Sequence, residues 1–320
     1  MILLILKGLL IILISSYHLL DGLYFEHEAK LCGRLTGAML STKFKLCINN
    51  DSYIFMNSKL LNEISSTRKD LYADLKTAIF EDISQPGVLI VVEKGSGNPT
   101  QVAYQMLSGI FHKMVDFMDS GKVWKYTYEV HKVHIKWILD EVKKLMSKKF
   151  YNKVVFTGHS LGGGTSILNA YACVKSSICN STNTKVLTFG SPRTGDEVFA
   201  ANYNKVLPET YRVIVNGDIV PTFPPCTKNF FSNECHKPIF DPNYDSWFHD
   251  IGYYHVGREI YYPNGYEGKY KTCRFRYEDT TCSPKTLPSI WTLLIKKEEF
   301  NDNHNRYFRI EKNGTPCRFI

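Results

Sequence analysis

The chain has 320 residues, 44% of them hydrophobic and 13% aromatic, with 22% charged residues and a formal charge of +8. That apolar content suffices for one large core, and no polar or Pro/Ser-rich tract interrupts it, which excludes a disordered or repetitive chain. The basic residues are scattered, with no arginine-rich helix or interleaved aromatic pattern, so nucleic acid is excluded as a partner; the charge describes a solvated surface with a mild preference for anionic ones.

In chain order, residues 1–20 form an apolar run broken by Lys7 and ending at Ser15, Ser16 and Tyr17 ahead of Asp21 and Gly22. We read it as a secretory signal and not an anchor, because Lys7 and His18 would sit badly in hydrocarbon. This leaves residues 21–320 as one domain with no stable membrane span. Nine cysteines suit an oxidising compartment; Cys173 with Cys179, Cys226 with Cys235 and Cys273 with Cys282 are close pairs in polar segments, and Cys32, Cys47 and Cys317 remain. Sequons begin at Asn50, Asn180 and Asn313. There is no CxxC with metal-ligand spacing, and neither a metal nor a cofactor is expected.

Gly87–Val92 (GVLIVV) is a continuous apolar strand of the kind buried on both faces. From Tyr126 to Lys149, apolar residues at Val130, Val133, Trp137, Ile138, Val142 and Leu145 make an amphipathic helical stripe. Strand Lys153–Thr157 (KVVFT), a sharp turn and a helical run Leu161–Lys175 follow. A strand at Lys185–Phe189, a helical stretch after Thr194, a strand at Tyr211–Val215 and an aromatic strand within Ile251–Tyr262 complete the series. Strand and helix in alternation predict an α/β protein, a mostly parallel central sheet with helices on both faces.

Gly158-His159-Ser160-Leu161-Gly162 fits G-x-S-x-G in its required setting, after a β-branched strand and before a helix. The pattern belongs to the α/β-hydrolase fold, in which glycines relieve the crowding around a serine pushed out on the turn. A serine hydroxyl needs a histidine to take its proton and a carboxylate to orient that histidine, in the order Ser, Asp or Glu, His. Asp218 follows the strand Tyr211–Val215 and is preferred to Asp196, at the exit of the preceding strand. Of His236, His249, His255 and His304, the residues alone leave two: His255 in the aromatic strand segment and His304 in a polar stretch before Tyr307 and Phe308. The oxyanion would be held by the amide of Leu161 and by Ser96, in the loop Gly95-Ser96-Gly97 after the apolar strand. His131 and His134, one helical turn apart, lack the acidic residue of a HExxH site and are read as a solvated helix face.

With these residues assembled, the chain resembles the secreted class 3, fungal-type triacylglycerol lipases from about Cys47 to Cys317. GHSLGG (Gly158–Gly163), TFGSPRTGD (Thr188–Asp196) and DIVP (Asp218–Pro221) are similar to the family's nucleophile elbow, the block after it and the segment carrying its catalytic acid. The resemblance assigns Asp218 the acid's role, makes His255, with Glu259 and Tyr261, structural, and gives the catalytic role to His304 in HNRYF. It also implies the Cys273–Cys282 bridge and one from an N-terminal cysteine, Cys47, to Cys317. One departure stands out: where the family carries Phe-Arg-Gly before its Thr or Ser, this chain has Glu93-Lys94-Gly95-Ser96. The implied function is hydrolysis of lipid esters by a secreted enzyme, at a lipid–water interface; residues 98 to about 118 would form a helical lid or, from their apolar stripe, a helix packed on the sheet's flank. The rivals are a lipid-binding protein whose oxyanion loop Glu93 and Lys94 have disabled and, among enzymes, a phospholipase or feruloyl-type esterase.

Overall fold

The computed structural model describes residues 24–96, 114–226, 235, 252–275, 278–286 and 288–308. The expected signal (1–20), most of the expected lid (98–113), His236, His249, Asn313 and Cys317 lie outside them. Three helices come first, α1 (Glu26–Met39), α2 (Phe44–Asn50) and α3 (Ser52–Asn57), then the hairpin β1 (Ser58–Arg68) and β2 (Ala73–Asp82). After β3 (Val88–Glu93) come a small ribbon, β4 (Met114–Asp116) with β5 (Lys122–Trp124), and the long helix α4 (Lys125–Lys148). Then follow β6 (Lys153–His159), α5 (Leu161–Lys175), β7 (Thr184–Phe189), α6 (Glu197–Val206), β8 (Thr210–Val215), β9 (Arg258–Tyr262), β10 (Lys271–Thr272), α7 (Ile290–Ile295) and α8 (Lys297–His304).

The main sheet runs in the order β1-β2-β3-β6-β7-β8-β9-β10. Strands β3, β6, β7, β8 and β9 are parallel, with antiparallel pairs at both edges. The apolar run of β3 is explained by strand alternation: Ile90 and Val92 face one core with α1, while Leu89 and Val91 face another with α4, α5 and α6. Every residue of β3, β7 and β8 is buried, as a sheet covered on both sides requires. Among the described residues no helix is long and apolar enough to cross a membrane.

Three expectations need correction. The aromatic strand begins only at Arg258, not near Tyr253, because Gly257 at φ +67° packs its α-carbon against Thr210 and breaks the extended path; His255 thus lies in an irregular segment. His131 and His134 are not solvated but 5% and 4% exposed. The buried stripe of α4 passes through Thr127, Val130, His131, His134, Ile138, Glu141 and Val142, so polar residues occupy core-facing positions. The described end of the expected lid, residues 114–118, is led by strand β4 and is not helical.

The three close cysteine pairs are all bridged. Cys47 is also disulfide-bonded, to a partner outside the described residues, and Cys32 is a free, buried thiol.

Candidate active site

Strand β6 ends at His159 and α5 begins at Leu161, so Ser160 alone turns strand into helix. Its backbone stands at φ 56° and ψ −127°, a positive-φ conformation that costs a non-glycine residue about 1–3 kcal/mol and persists only where its surroundings impose it. Ser160 N donates to Phe189 O on β7 (2.9 Å), and Gly163 N donates to Ser160 O (2.9 Å). Space explains the flanking glycines: a Cβ on Gly158 would lie 2.2 Å from Gly162 C, and one on Gly162 would lie 2.4 Å from Glu93 O. Ser160 therefore sits on a fixed, nearly buried turn, with the N-terminus of α5 and its dipole beside it.

Asp218 follows β8 and is 5% exposed. Its Oδ1 accepts from Val220 N (2.9 Å), its Oδ2 accepts from the Tyr307 hydroxyl (2.5 Å), and both oxygens lie 3.0 Å from His304 Nδ1. His304 ends α8, which positions its ring over the ends of the parallel strands. Its main chain is held by His159, whose Nε2 donates to His304 O (2.7 Å), and the two imidazole rings pack with centroids 4.5 Å apart. Gly190, at φ +54°, is the floor below: a Cβ there would lie 2.5 Å from Asp218 Oδ2 and 3.1 Å from His304 Cε1. The fold thus brings Asp218 and His304 into hydrogen-bond contact and sets Ser160 next to the histidine on which His304 packs.

The competing residues are engaged elsewhere. Asp196 caps α6, accepting from Phe199 N (2.7 Å) and Lys122 N (3.0 Å). His255 donates through Nε2 to Pro221 O (2.8 Å), and burial, with Arg212 and Arg193 nearby, keeps its pKa well below the usual histidine range, so it is a neutral structural donor. Its own amide donates to Glu278 Oε1, which pairs with Arg193 at 2.9 Å. His134 uses both ring nitrogens on Thr77 and Ser66, so no ligand atom is left for a metal shared with His131. Among the described residues the one group with metal-ligating atoms in reach of each other is Glu259, Cys273 and Cys282, and there the two sulfurs are bonded to each other.

The other two expected residues lie at the mouth of the same turn. Leu161 is the first residue of α5, and Ser96 stands just beyond β3, half-buried. The strand end is pressed on the nucleophile turn: a Cβ on Gly95 would lie 2.6 Å from His159 O and 3.5 Å from Ser160 Cβ.

The residues alone did not single out Tyr307 or His159. Tyr307 carried a signal in HNRYF, but only the folded chain shows its hydroxyl accepting from Val215 N (3.1 Å) while donating to Asp218. Burial, then the negative charge of Asp218, raises its pKa well above the usual tyrosine range, which keeps it a donor. Tyr307→Phe is expected to cost about 1–3 kcal/mol of stability, because buried Val215 N loses this acceptor and Asp218 Oδ2 loses one of its donors; an unchanged denaturation midpoint would contradict this link.

Residues 90–228, which include Ser96, Ser160, Leu161 and Asp218, match the profile of the lipase (class 3) family. A Caenorhabditis elegans protein named lipase ZK262.3 is 28% identical over 300 residues, covering 91% of this chain and 81% of that protein. The Rhizomucor miehei lipase is 30% identical over 190 residues, 58% of this chain and 42% of that one. Over residues 90–228, and through these relatives over most of its length, the chain is similar to the class 3 lipases. Solved structures carry the same α/β-hydrolase fold. A deletion mutant of the Rhizomucor miehei lipase propeptide complex superposes with a TM-score of 0.64 at 20% identity, over 82% of this chain and 74% of that one. A fungal lipase–inhibitor complex gives 0.63 at 22% identity, over 88% and 96%. The family-model match and the lipase relatives support a serine ester hydrolase.

Proposed function

We propose that the chain is a secreted class 3 lipase and hydrolyses acylglycerol esters through an acyl-enzyme on Ser160. The observation that carries the reading is the pairing of His304 Nδ1 with both oxygens of buried Asp218, beside a serine held in a strained turn. With Nδ1–H given to Asp218, the neutral ring keeps the lone pair of Nε2 for the Ser160 hydroxyl. Ser160 Oγ attacks the ester carbonyl carbon as His304 takes its proton, and the carbonyl electrons collect on oxygen, where the Leu161 amide and Ser96 receive them. Collapse expels the alcohol, which takes the proton from imidazolium; water activated by His304 then releases the fatty acid and restores the serine.

The lipid as substrate rests on relatives named as lipases, among them a secreted mono- and diacylglycerol lipase of Gibberella zeae. Secretion is supported by three described disulfides, a fourth at Cys47, and the exposure of Asn50 and Asn180 in their sequons. The purified protein is expected to cleave p-nitrophenyl esters and to favour long over short acyl chains. A strong preference for acetate would replace the lipase with a short-chain esterase, and no hydrolysis at all by the folded protein would favour the lipid-binding rival.

A further inference from the structure

Glu93, which stands where the family carries phenylalanine, is 5% exposed, and among the described residues no cation lies against its carboxylate, which is held there by hydrogen bonds. Thr77 Oγ1 donates to Glu93 Oε2 (2.9 Å) and Asn169 Nδ2 donates to Glu93 Oε1 (2.8 Å). Each donor is itself held by a histidine of α4: His134 Nδ1 lies 2.9 Å from Thr77 Oγ1, and His131 Nδ1 lies 2.6 Å from Asn169 Oδ1. His134 Nε2 reaches Ser66 Oγ on β1 at 3.0 Å. The space between these groups, bordered also by Lys76 and Lys94, is about 10 Å³, no more than a single water needs. The network is closed on itself and is not a ligand pocket.

The elements joined here are those that carry the two oxyanion donors. Glu93 ends β3, three residues before Ser96, and pairs in the sheet with Gly158 of the nucleophile turn. Asn169 is on α5, the helix that starts at Leu161, and the Glu93–Lys94 peptide rests on Gly162 so closely that a Cβ there would be 2.4 Å from Glu93 O. We propose that Glu93 is a positioning residue for the oxyanion site: through Asn169 it ties the strand leading to Ser96 to the helix beginning at Leu161. The inference rests on the serine-esterase reading above.

The hydrogen-bond chain runs consistently in either direction. With Glu93 ionised, Thr77 and Asn169 both donate to it, His134 donates through Nδ1 to Thr77, and Ser66 donates to His134 Nε2. With Glu93 protonated, its O–H donates to Thr77, Thr77 donates to His134 Nδ1, and His134 Nε2–H donates to Ser66, while the Asn169 link is unchanged. The amide introduced by Glu93→Gln would reproduce the second pattern, its nitrogen donating to Thr77 and its oxygen accepting from Asn169. The titratable and charged groups facing this site are His131 and His134 from α4, both lowered to about 4 by burial and so neutral, Lys76 from β2 and Lys94 beyond β3. Burial pushes the Glu93 carboxyl from 4.5 up to about 7 against its two hydrogen bonds. The folded chain therefore holds a proton between pH 4.5 and 7 that the unfolded chain has lost, so stability falls as pH rises through that window and the loss is complete above about 7.

The test compares Glu93→Gln, Glu93→Leu and the parent on p-nitrophenyl butyrate, with thermal midpoints measured at about pH 5 and about pH 8, either side of that window. Glu93→Leu is expected to lose roughly 10- to 100-fold in kcat, as a donor displaced by a fraction of an ångström would, with KM changed by less than about twofold. Glu93→Gln is expected to restore kcat to within about threefold of the parent, and its midpoint should gain about 5 °C on the parent's between the lower and the higher pH. If Glu93→Leu does not fold, Asn169→Ala cuts the same tie from the helix side and carries the same expectation for kcat. A parent active on esters whose kcat is unmoved by these changes, or a Glu93→Gln variant as impaired as Glu93→Leu, overturns the inference alone. A parent with no esterase activity at any pH overturns the reading beneath it.

Discussion

Ser160→Ala is expected to lower turnover of a p-nitrophenyl ester by about 10⁶, and His304→Ala by a similar factor, because serine and histidine act as one unit. The double variant should be no slower than either single one, since removing the second member of a unit that no longer works costs nothing further. The small side chain of alanine leaves the apolar packing of the turn in place, and Gly158, Gly162 and Gly163 still permit the close crossing of β6, α5 and β3. The strain at residue 160 is a backbone property, so stability should change little while activity disappears. Turnover of Ser160→Ala within about tenfold of the parent would remove Ser160 from the mechanism.

Asp218→Asn is the second large effect, about 10⁴ in kcat, and its origin is tautomeric. The carboxylate now receives Val220 N–H, the Tyr307 hydroxyl and His304 Nδ1. Val220 N and the Tyr307 hydroxyl use opposite oxygens of the carboxylate; an amide has only one, which stays on the fixed Val220 amide, so its NH₂ takes the other place, 3.0 Å from His304 Nδ1. The ring then places its proton on Nε2 and offers Nδ1 to the amide, and the lone pair needed by Ser160 is gone. Asp196→Asn, by contrast, weakens a helix cap and should leave kcat within a few-fold of the parent. Measured kcat values for the two variants check this contrast; equal losses would contradict the assignment of Asp218.

The parallel part of the sheet was legible because its signals are local. A β-branched strand, a glycine turn and a helix of buried small residues lie consecutively in 153–175, and α5 has the bounds its pattern predicts. What depended on distant contacts was not legible. His131 and His134 looked solvent-facing because a polar residue on a helix is read as exposed, and their partners Asn169, Thr77 and Ser66 are remote in sequence. His255 and His304 stood level until a family resemblance separated them, since whether a histidine meets a carboxylate depends on where the strand ends and the following loop carry it. The hydroxyl of Tyr307 belongs to the same class, because its two partners, Val215 and Asp218, lie far back in the chain on and after β8. Glu93 is the instructive departure, because a carboxylate in place of phenylalanine suggested a damaged loop, whereas the fold supplies donors to both of its oxygens.

The central claim, that Ser160 is the acylated nucleophile, is tested most directly with a p-nitrophenyl alkylphosphonate. The serine oxygen displaces p-nitrophenolate from phosphorus and keeps the phosphonyl group. Mass spectrometry of the digested protein is expected to find one adduct, on Ser160 in the peptide that spans residues 154–175, with loss of esterase activity in proportion to labelling. Labelling of another residue, or full activity in protein whose Ser160 is modified, would contradict the account.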